Sequence, residues 1–394
     1  MTTRHATPQL AARREAGILF PDMFRNHRAR SIAHVRSLIR IASIAGALLT
    51  LAGCANQPQT QPEPALGIST PEVTPTPQSL KASEAVRKAP ELTVTRAAWQ
   101  FGEANGVLIT TPNYRLYTTV DSATFLERLP VFYERALEHY TTALGTLPKP
   151  TRKLESFLFL TRRQWQAKTQ EMLPDQADMF SNLGRGGFTT RGTSVLYYID
   201  RYGYPRDTFA IAAHEGWHQY TQQTFKHQLP IWLEEGVATF MEGYGRDSDQ
   251  LPEFNPAVNY ERRQTLREAL WNDDLIPLEQ LLSRTPQSFL NESKELLLTY
   301  YAQVWALTRF LDEGEDGRYR ASLSQILLDA AEGRLVGRMA SSPYFPRRRG
   351  ATSGKVGQAV VQEYFNPDVA QFEQAFLSYI DDLSQQRSDG RGRF

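Results

Sequence analysis

The stretch Phe209-Ala-Ile-Ala-Ala-His214-Glu215-Gly216-Trp217-His218-Gln219 decides how the rest of the chain is read. Phe209, Ile211, Ala212 and Ala213 give a largely apolar helix start, with candidate helix bounds of 208–224. Residues four apart on a helix lie one turn above each other, so His214 and His218 project from one face toward one point. Two neutral imidazoles at that spacing suit Zn²⁺. Glu215 then stands beside the metal without coordinating it, placed to take a proton from the metal's water. On a helix that buries its neighbours, two histidines and a glutamate would be costly unless paired or coordinated.

A catalytic zinc needs a third protein ligand and keeps one position for water. The next element, Leu229-Pro-Ile-Trp-Leu-Glu234-Glu235-Gly236-Val-Ala-Thr-Phe240, offers two carboxylates on a helix expected over 231–243. Pro230 suits the start of that helix, which would face the first across the connection 221–228. Glu234 and Glu235 are adjacent and point about a hundred degrees apart, so only one can face the metal. His227, in the connecting turn, is a further candidate ligand.

Here the residues carry a resemblance. His-Glu-x-x-His followed by Trp-Leu-x-Glu-Gly-x-Ala resembles the gluzincin metallopeptidases, in particular the aminopeptidase N family and the smaller peptidase-MA-like domains of secreted bacterial proteins. In that pattern the ligand is the glutamate directly before the glycine, which here is Glu235. The resemblance implies a zincin-like, thermolysin-like domain, a Zn²⁺ held by His214, His218 and Glu235, and peptide hydrolysis. A tyrosine that binds the oxyanion is implied at Tyr301, in Tyr301-Ala-Gln-Val-Trp-Ala-Leu-Thr-Arg-Phe310, with Tyr300 as the alternative. The family's Glu-Lys-Gly after that tyrosine is absent. So is the Gly-Ala-Met-Glu-Asn type motif that holds a substrate's N-terminus, which argues against aminopeptidase activity. The specific motifs cover 208–312.

Downstream, apolar spacing predicts helices over 256–271, 293–312, 318–332 and 367–384, with a loop from Gly337 to Lys355 that carries Arg347, Arg348 and Arg349. Upstream, Val107–Thr110 and Tyr114–Val120 read as strands around a Thr-Pro-Asn turn. Ser122 caps a helix through Phe125, Leu129, Phe132, Tyr133, Ala136, Leu137 and Tyr140, ended by Pro148 and Pro150. Leu154–Leu160 is a strand, followed by a helix around Trp165. Gly184-Arg-Gly-Gly187 turns into a hairpin of Phe188–Thr190 with Ser194–Asp200. That last strand is a candidate edge along which a peptide could lie extended. Strands followed by helices make an α+β pattern, a small mixed sheet leading into a mainly helical domain over 91–394.

The N-terminal end reads differently. Ile41–Cys54 is apolar, too short to span a bilayer, and preceded by Arg25, Arg28, Arg30, Arg36 and Arg40. That layout is a secretory signal, and Leu51-Ala-Gly-Cys54 resembles the bacterial lipobox, in which the cysteine is lipidated. Residues 1–53 are then a signal region, with translation expected to start at Met23, and 54–90 is a Pro-rich tether with too little apolar surface to fold. Cys54 is the sole cysteine, so no intrachain disulfide forms. Lys+Arg of 44 against Asp+Glu of 43 gives no reason to expect nucleic acid. The expectation is a lipid-anchored zinc peptidase of the cell envelope, on the periplasmic face and with the outer membrane favoured. The rivals are a non-catalytic zinc- or peptide-binding lipoprotein and a zinc amide hydrolase acting on cell-wall peptides.

Overall fold

The computed structural model describes residues 92–177, 186–200, 205–246, 252–346 and 353–385. The signal region, Met23, Cys54, the tether, Gly184 and Arg185 of the turn, and Arg347–Arg349 lie outside them. Among the described residues no helix is long and apolar enough to cross a membrane.

The fold is α+β. Six strands form one mixed sheet: β1 (Thr95–Phe101), β2 (Ala104–Thr110), β3 (Tyr114–Thr118), β4 (Leu154–Phe159), β5 (Gly187–Thr190) and β6 (Thr193–Tyr197). Their spatial order is β1-β2-β3-β4-β6-β5. β1, β2 and β3 make an antiparallel meander, β3 and β6 both run parallel to β4, and β5 returns antiparallel to β6. The expected edge strand Ser194–Asp200 is therefore corrected. β6 is interior, with β4 on one side, and among the described residues the sheet ends at β5.

Side chains alternate across this sheet with the period of two that a strand imposes. Leu158 and Leu196 enter the large core, whereas Phe159, Val195 and Tyr197 enter a smaller one on the opposite face. The helix α1 (Ala123–Thr142) covers the large-core face, and α2 (Arg162–Met172) covers the other through Trp165. α1 starts at the predicted Ser122, whose hydroxyl accepts from the Phe125 amide at 3.4 Å. It buries the predicted stripe from Phe125 to Tyr140 but ends at Thr142, before either proline. Gly145, at φ +131°, takes a conformation closed to other residues and turns the chain there.

The second half is helical. α3 (Arg206–Thr224) and α4 (Ile231–Met241) are followed by a small hairpin of β7 (Tyr244–Arg246) and β8 (Pro252–Phe254). Then come α5 (Tyr260–Trp271), α6 (Leu278–Ser283), α7 (Pro286–Leu290) and α8 (Lys294–Gly317). The chain closes with α9 (Arg320–Glu332), α10 (Leu335–Ser341), α11 (Ser353–Tyr364) and α12 (Val369–Gln385). The expected helix over 256–271 is split. A 3-10 turn, Pro256–Val258, is capped by Asn255, and Asn259 then restarts the chain as α5 with its side chain at the Arg262 amide. The expected loop from Gly337 to Lys355 is also corrected, since α10 and α11 occupy both of its ends.

α3 lies against β5 and β6, and its polar contacts to the sheet fix its height. Gln219 is fully buried, and its amide group donates to the carbonyls of Glu155 and Gly192. Its oxygen accepts from Ser156 at 3.1 Å. Pairing every polar atom of a buried amide sets the register of helix on strand as packing alone would not.

Candidate metal centre

The His-Glu-x-x-His turn sits in the middle of α3, one face of which buries Phe209, Ala212, Ala213, Gly216, Trp217 and Tyr220. Gly216 is required there. A Cβ at this position would lie 2.4 Å from the hydroxyl of Tyr140, which itself donates to the Ala213 carbonyl at 2.8 Å. α1 thus comes close behind the two histidines and pins the turn that carries them. Gly236 plays the matching part on α4. A Cβ there would meet Thr308 Oγ1 at 2.4 Å and the Val304 carbonyl at 2.9 Å, so its absence lets α4 press against α8.

Between these helices three donor atoms converge. His214 Nε2 and His218 Nε2 are 3.2 Å apart, and Glu235 Oε2 lies 3.5 Å from the first and 3.6 Å from the second. Their side chains are only 13–15% exposed. Four ligands placed tetrahedrally at zinc–ligand lengths of about 2.0–2.1 Å stand about 3.3–3.4 Å from one another. The observed triangle has that size. Among the described residues, His214, His218 and Glu235 are the group that could hold a metal ion.

The hydrogen bonds around the triangle say which atoms carry lone pairs. His214 Nδ1 lies 2.9 Å from Glu242 Oε1, and His218 Nδ1 lies 2.9 Å from Glu234 Oε1. A carboxylate can only accept, so each Nδ1 holds the proton and each Nε2 of a neutral ring turns its lone pair inward. Glu235 Oε2 is buried and has no hydrogen-bond partner among the described residues. With both rings neutral, these three lone-pair atoms repel unless a proton or a metal ion lies between them, and a buried carboxylate oxygen with no donor is costly. A cation among them removes both penalties. The donor set, two imidazoles and one carboxylate, is one that zinc takes in catalytic sites.

Without a cation the same groups retain protons. Burial works against a charged His214, but the neighbouring carboxylates Glu235 and Glu242 outweigh it and raise the imidazole to about 9. His218 is likewise raised against its burial by Glu235 and Glu234. Burial raises Glu235, yet His218 and His214 more than offset this and hold its carboxyl far below the usual range. Metal entry would therefore displace imidazole protons.

Each outer carboxylate is itself held. Arg262 donates from Nε to Glu242 Oε2 at 3.0 Å and from Nη2 to Oε1 at 2.8 Å, and the Asn259 amide adds a third bond at 2.9 Å. The Thr221 hydroxyl donates to Glu234 Oε1 at 2.7 Å. Glu234 and Glu235 thus divide as their spacing demands, Glu235 at the triangle and Glu234 behind His218. The sequence reading did not identify Glu242, Asn259, Arg262 or Thr221.

Glu215 lies under the edge strand. The Thr189 hydroxyl of β5 is 2.8 Å from its Oε2 and 2.9 Å from its carbonyl. Gly187 leaves room for it, since a Cβ there would come within 3.0 Å of Glu215 Cγ. Tyr301, on α8, packs its ring edge-on to His214 with centroids 6.0 Å apart. Tyr300 is fully buried and stacked on Phe289 at 4.8 Å, and burial first, then Glu235, push its phenol well up. Burial first, then Glu235, Glu215 and Glu242, push the Tyr301 phenol well up, with Arg262 opposing, so it stays a hydroxyl donor at neutral pH. His227 is away from the triangle, its Nδ1 facing the Val336 amide at 3.2 Å. Comparison of the chain with models of known families, with curated proteins and with solved structures finds no match.

Proposed function

We propose that this chain is a zinc-dependent peptidase in which His214, His218 and Glu235 hold the metal. The observation that carries the reading is the triangle of inward-facing lone pairs, including the unpartnered Glu235 Oε2, one helical position from Glu215. On this reading the sheet and helices are arranged as in thermolysin-like zincins. Bound zinc would act as a Lewis acid and make water nucleophilic near neutral pH.

The chain's own residues would do the rest. The Thr189 hydroxyl, 2.8 Å from Glu215 Oε2, would steady the carboxylate as it accepts the proton. Glu215 takes that proton from the attacking water and passes it to the leaving amine nitrogen. Tyr301 Oη donates a hydrogen bond to the oxygen that gains charge as the carbonyl is attacked. An extended peptide would pair with β5, the terminal strand beside Glu215, so that backbone rather than side chains sets its alignment. The lipobox-like segment ending at Cys54 supports a lipid-anchored location in the cell envelope, as proposed from sequence.

The test is a metal assay joined to a peptide-library digest of the purified chain. About one zinc per chain and discrete cleavage products support the reading. Bound zinc without cleavage of peptides or cell-wall fragments would instead favour a non-catalytic role.

A further inference from the structure

We propose that Arg262 is a positioning residue that holds the metal ligand His214 and the phenol of Tyr301 in one fixed relation. This rests on the zinc peptidase reading above. The two groups come from different helices, α3 and α8, and their only direct contact is between ring edges. Such a contact does not by itself fix where a ring nitrogen or a hydroxyl points. Arg262, from α5, touches the partner of the first and the ring of the second. Its guanidinium grips both oxygens of Glu242, whose Oε1 meets His214 Nδ1. The same guanidinium carbon stands 5.0 Å from the centroid of the Tyr301 ring.

The contacts close a ring of four: His214 to Glu242, Glu242 to Arg262, Arg262 to Tyr301, and Tyr301 back to His214. A planar fork is suited to this position. It fixes the direction of the Glu242 oxygens by two parallel bonds while its flat face bears on an aromatic ring. A lysine would balance the charge of Glu242 but could not do both. Asn259 already gives Glu242 a donor, so a merely stabilised carboxylate would not need the fork. His218 shows the contrast, since its carboxylate Glu234 is steadied by one threonine hydroxyl and no cation among the described residues.

The experiment uses the full chain loaded with Co²⁺, whose visible spectrum reports ligand orientation, and kcat and KM on a quenched fluorescent peptide library. The variants are R262M, R262K, Y301F and R262M/Y301F. R262M is expected to shift the Co²⁺ spectrum and to lower kcat at least tenfold with KM within threefold of wild type. R262K should do the same, and it supplies the result if R262M does not fold. Y301F should leave the spectrum unchanged. The double variant should fall no more than about threefold below the worse single one, because both act on one interaction. An unshifted spectrum in both Arg262 variants, or losses in kcat that multiply, would overturn the proposal. Failure of the peptidase reading looks different, because the wild-type chain would then cleave nothing while the spectral comparison still decides the role of Arg262 at His214.

Discussion

Two buried carboxylates in this molecule make opposite use of their surroundings. Asp329, at the end of α9, is 3% exposed and completely answered. Oδ1 accepts from Gln325 and Arg334, and Oδ2 accepts from Tyr364 and Arg338. Glu235 is 15% exposed, yet its Oε2 atom is buried, has no hydrogen-bond partner among the described residues, and faces two imidazole nitrogens. A closed set of partners ties α9, α10 and α11 together and has no room for a ligand. An open set marks a place where something outside the chain completes the bonding. Charge and burial alone would not separate the two centres; the count of unanswered lone pairs does.

The comparison can be broken in several places. Glu235→Ala should have the largest effect, lowering zinc affinity by more than the roughly 10- to 100-fold that loss of an outer partner costs. Asp329→Ala should leave zinc affinity unchanged, and competition with a chelator measures both. Tyr301→Phe should lower kcat by about a hundredfold, the range for one lost oxyanion donor, with zinc content unaltered. For Asp329→Ala the loss is in folding, about 1–3 kcal/mol by denaturant titration, because the buried Tyr364 hydroxyl loses its acceptor while Arg334 and Arg338 keep Glu332 and Glu363.

The smallest effect is the dependence on pH. The folded His214 imidazole titrates at about 9 without metal, above its unfolded value near 6.5. A raised value contributes stability that is full below about 6.5 and is lost as pH rises through about 9. His218 has the same sign. Zinc displaces these protons, so its affinity rises over the same window. The gap in Tm between zinc-loaded and metal-free protein should widen from pH 6.5 to pH 9. A gap that stays constant would mean the imidazoles are already neutral in the metal-free protein.

What was legible in the sequence was local. His214 and His218 are one helical turn apart, and Ser122 stands at the head of its stripe, so short-range geometry alone places them. Glu235 needed the second motif. Glu242 is seven residues, two turns, beyond Glu235, and that spacing could have marked it as sharing the same face. Arg262 and Thr189 carry no such signal, because α5 and β5 reach the centre only through the tertiary fold. The edge strand was misplaced for the same reason. The hairpin pattern identifies β5 and β6 as neighbours but not which of them lies beside β4, a parallel partner more than thirty residues earlier. Helices α10 and α11 escaped notice because glycines, serines and the arginine run between them resemble a loop in composition.

The central claim is most directly tested by hydrolysis of a peptide library by zinc-loaded wild type and zinc-loaded Glu215→Gln, measured side by side. Zinc content is expected to be equal in both, with discrete cleavage by the wild type and a rate lower by about 10²- to 10⁴-fold in the variant. Cleavage by Glu215→Gln at the wild-type rate, or none by the zinc-loaded wild type, would contradict that claim.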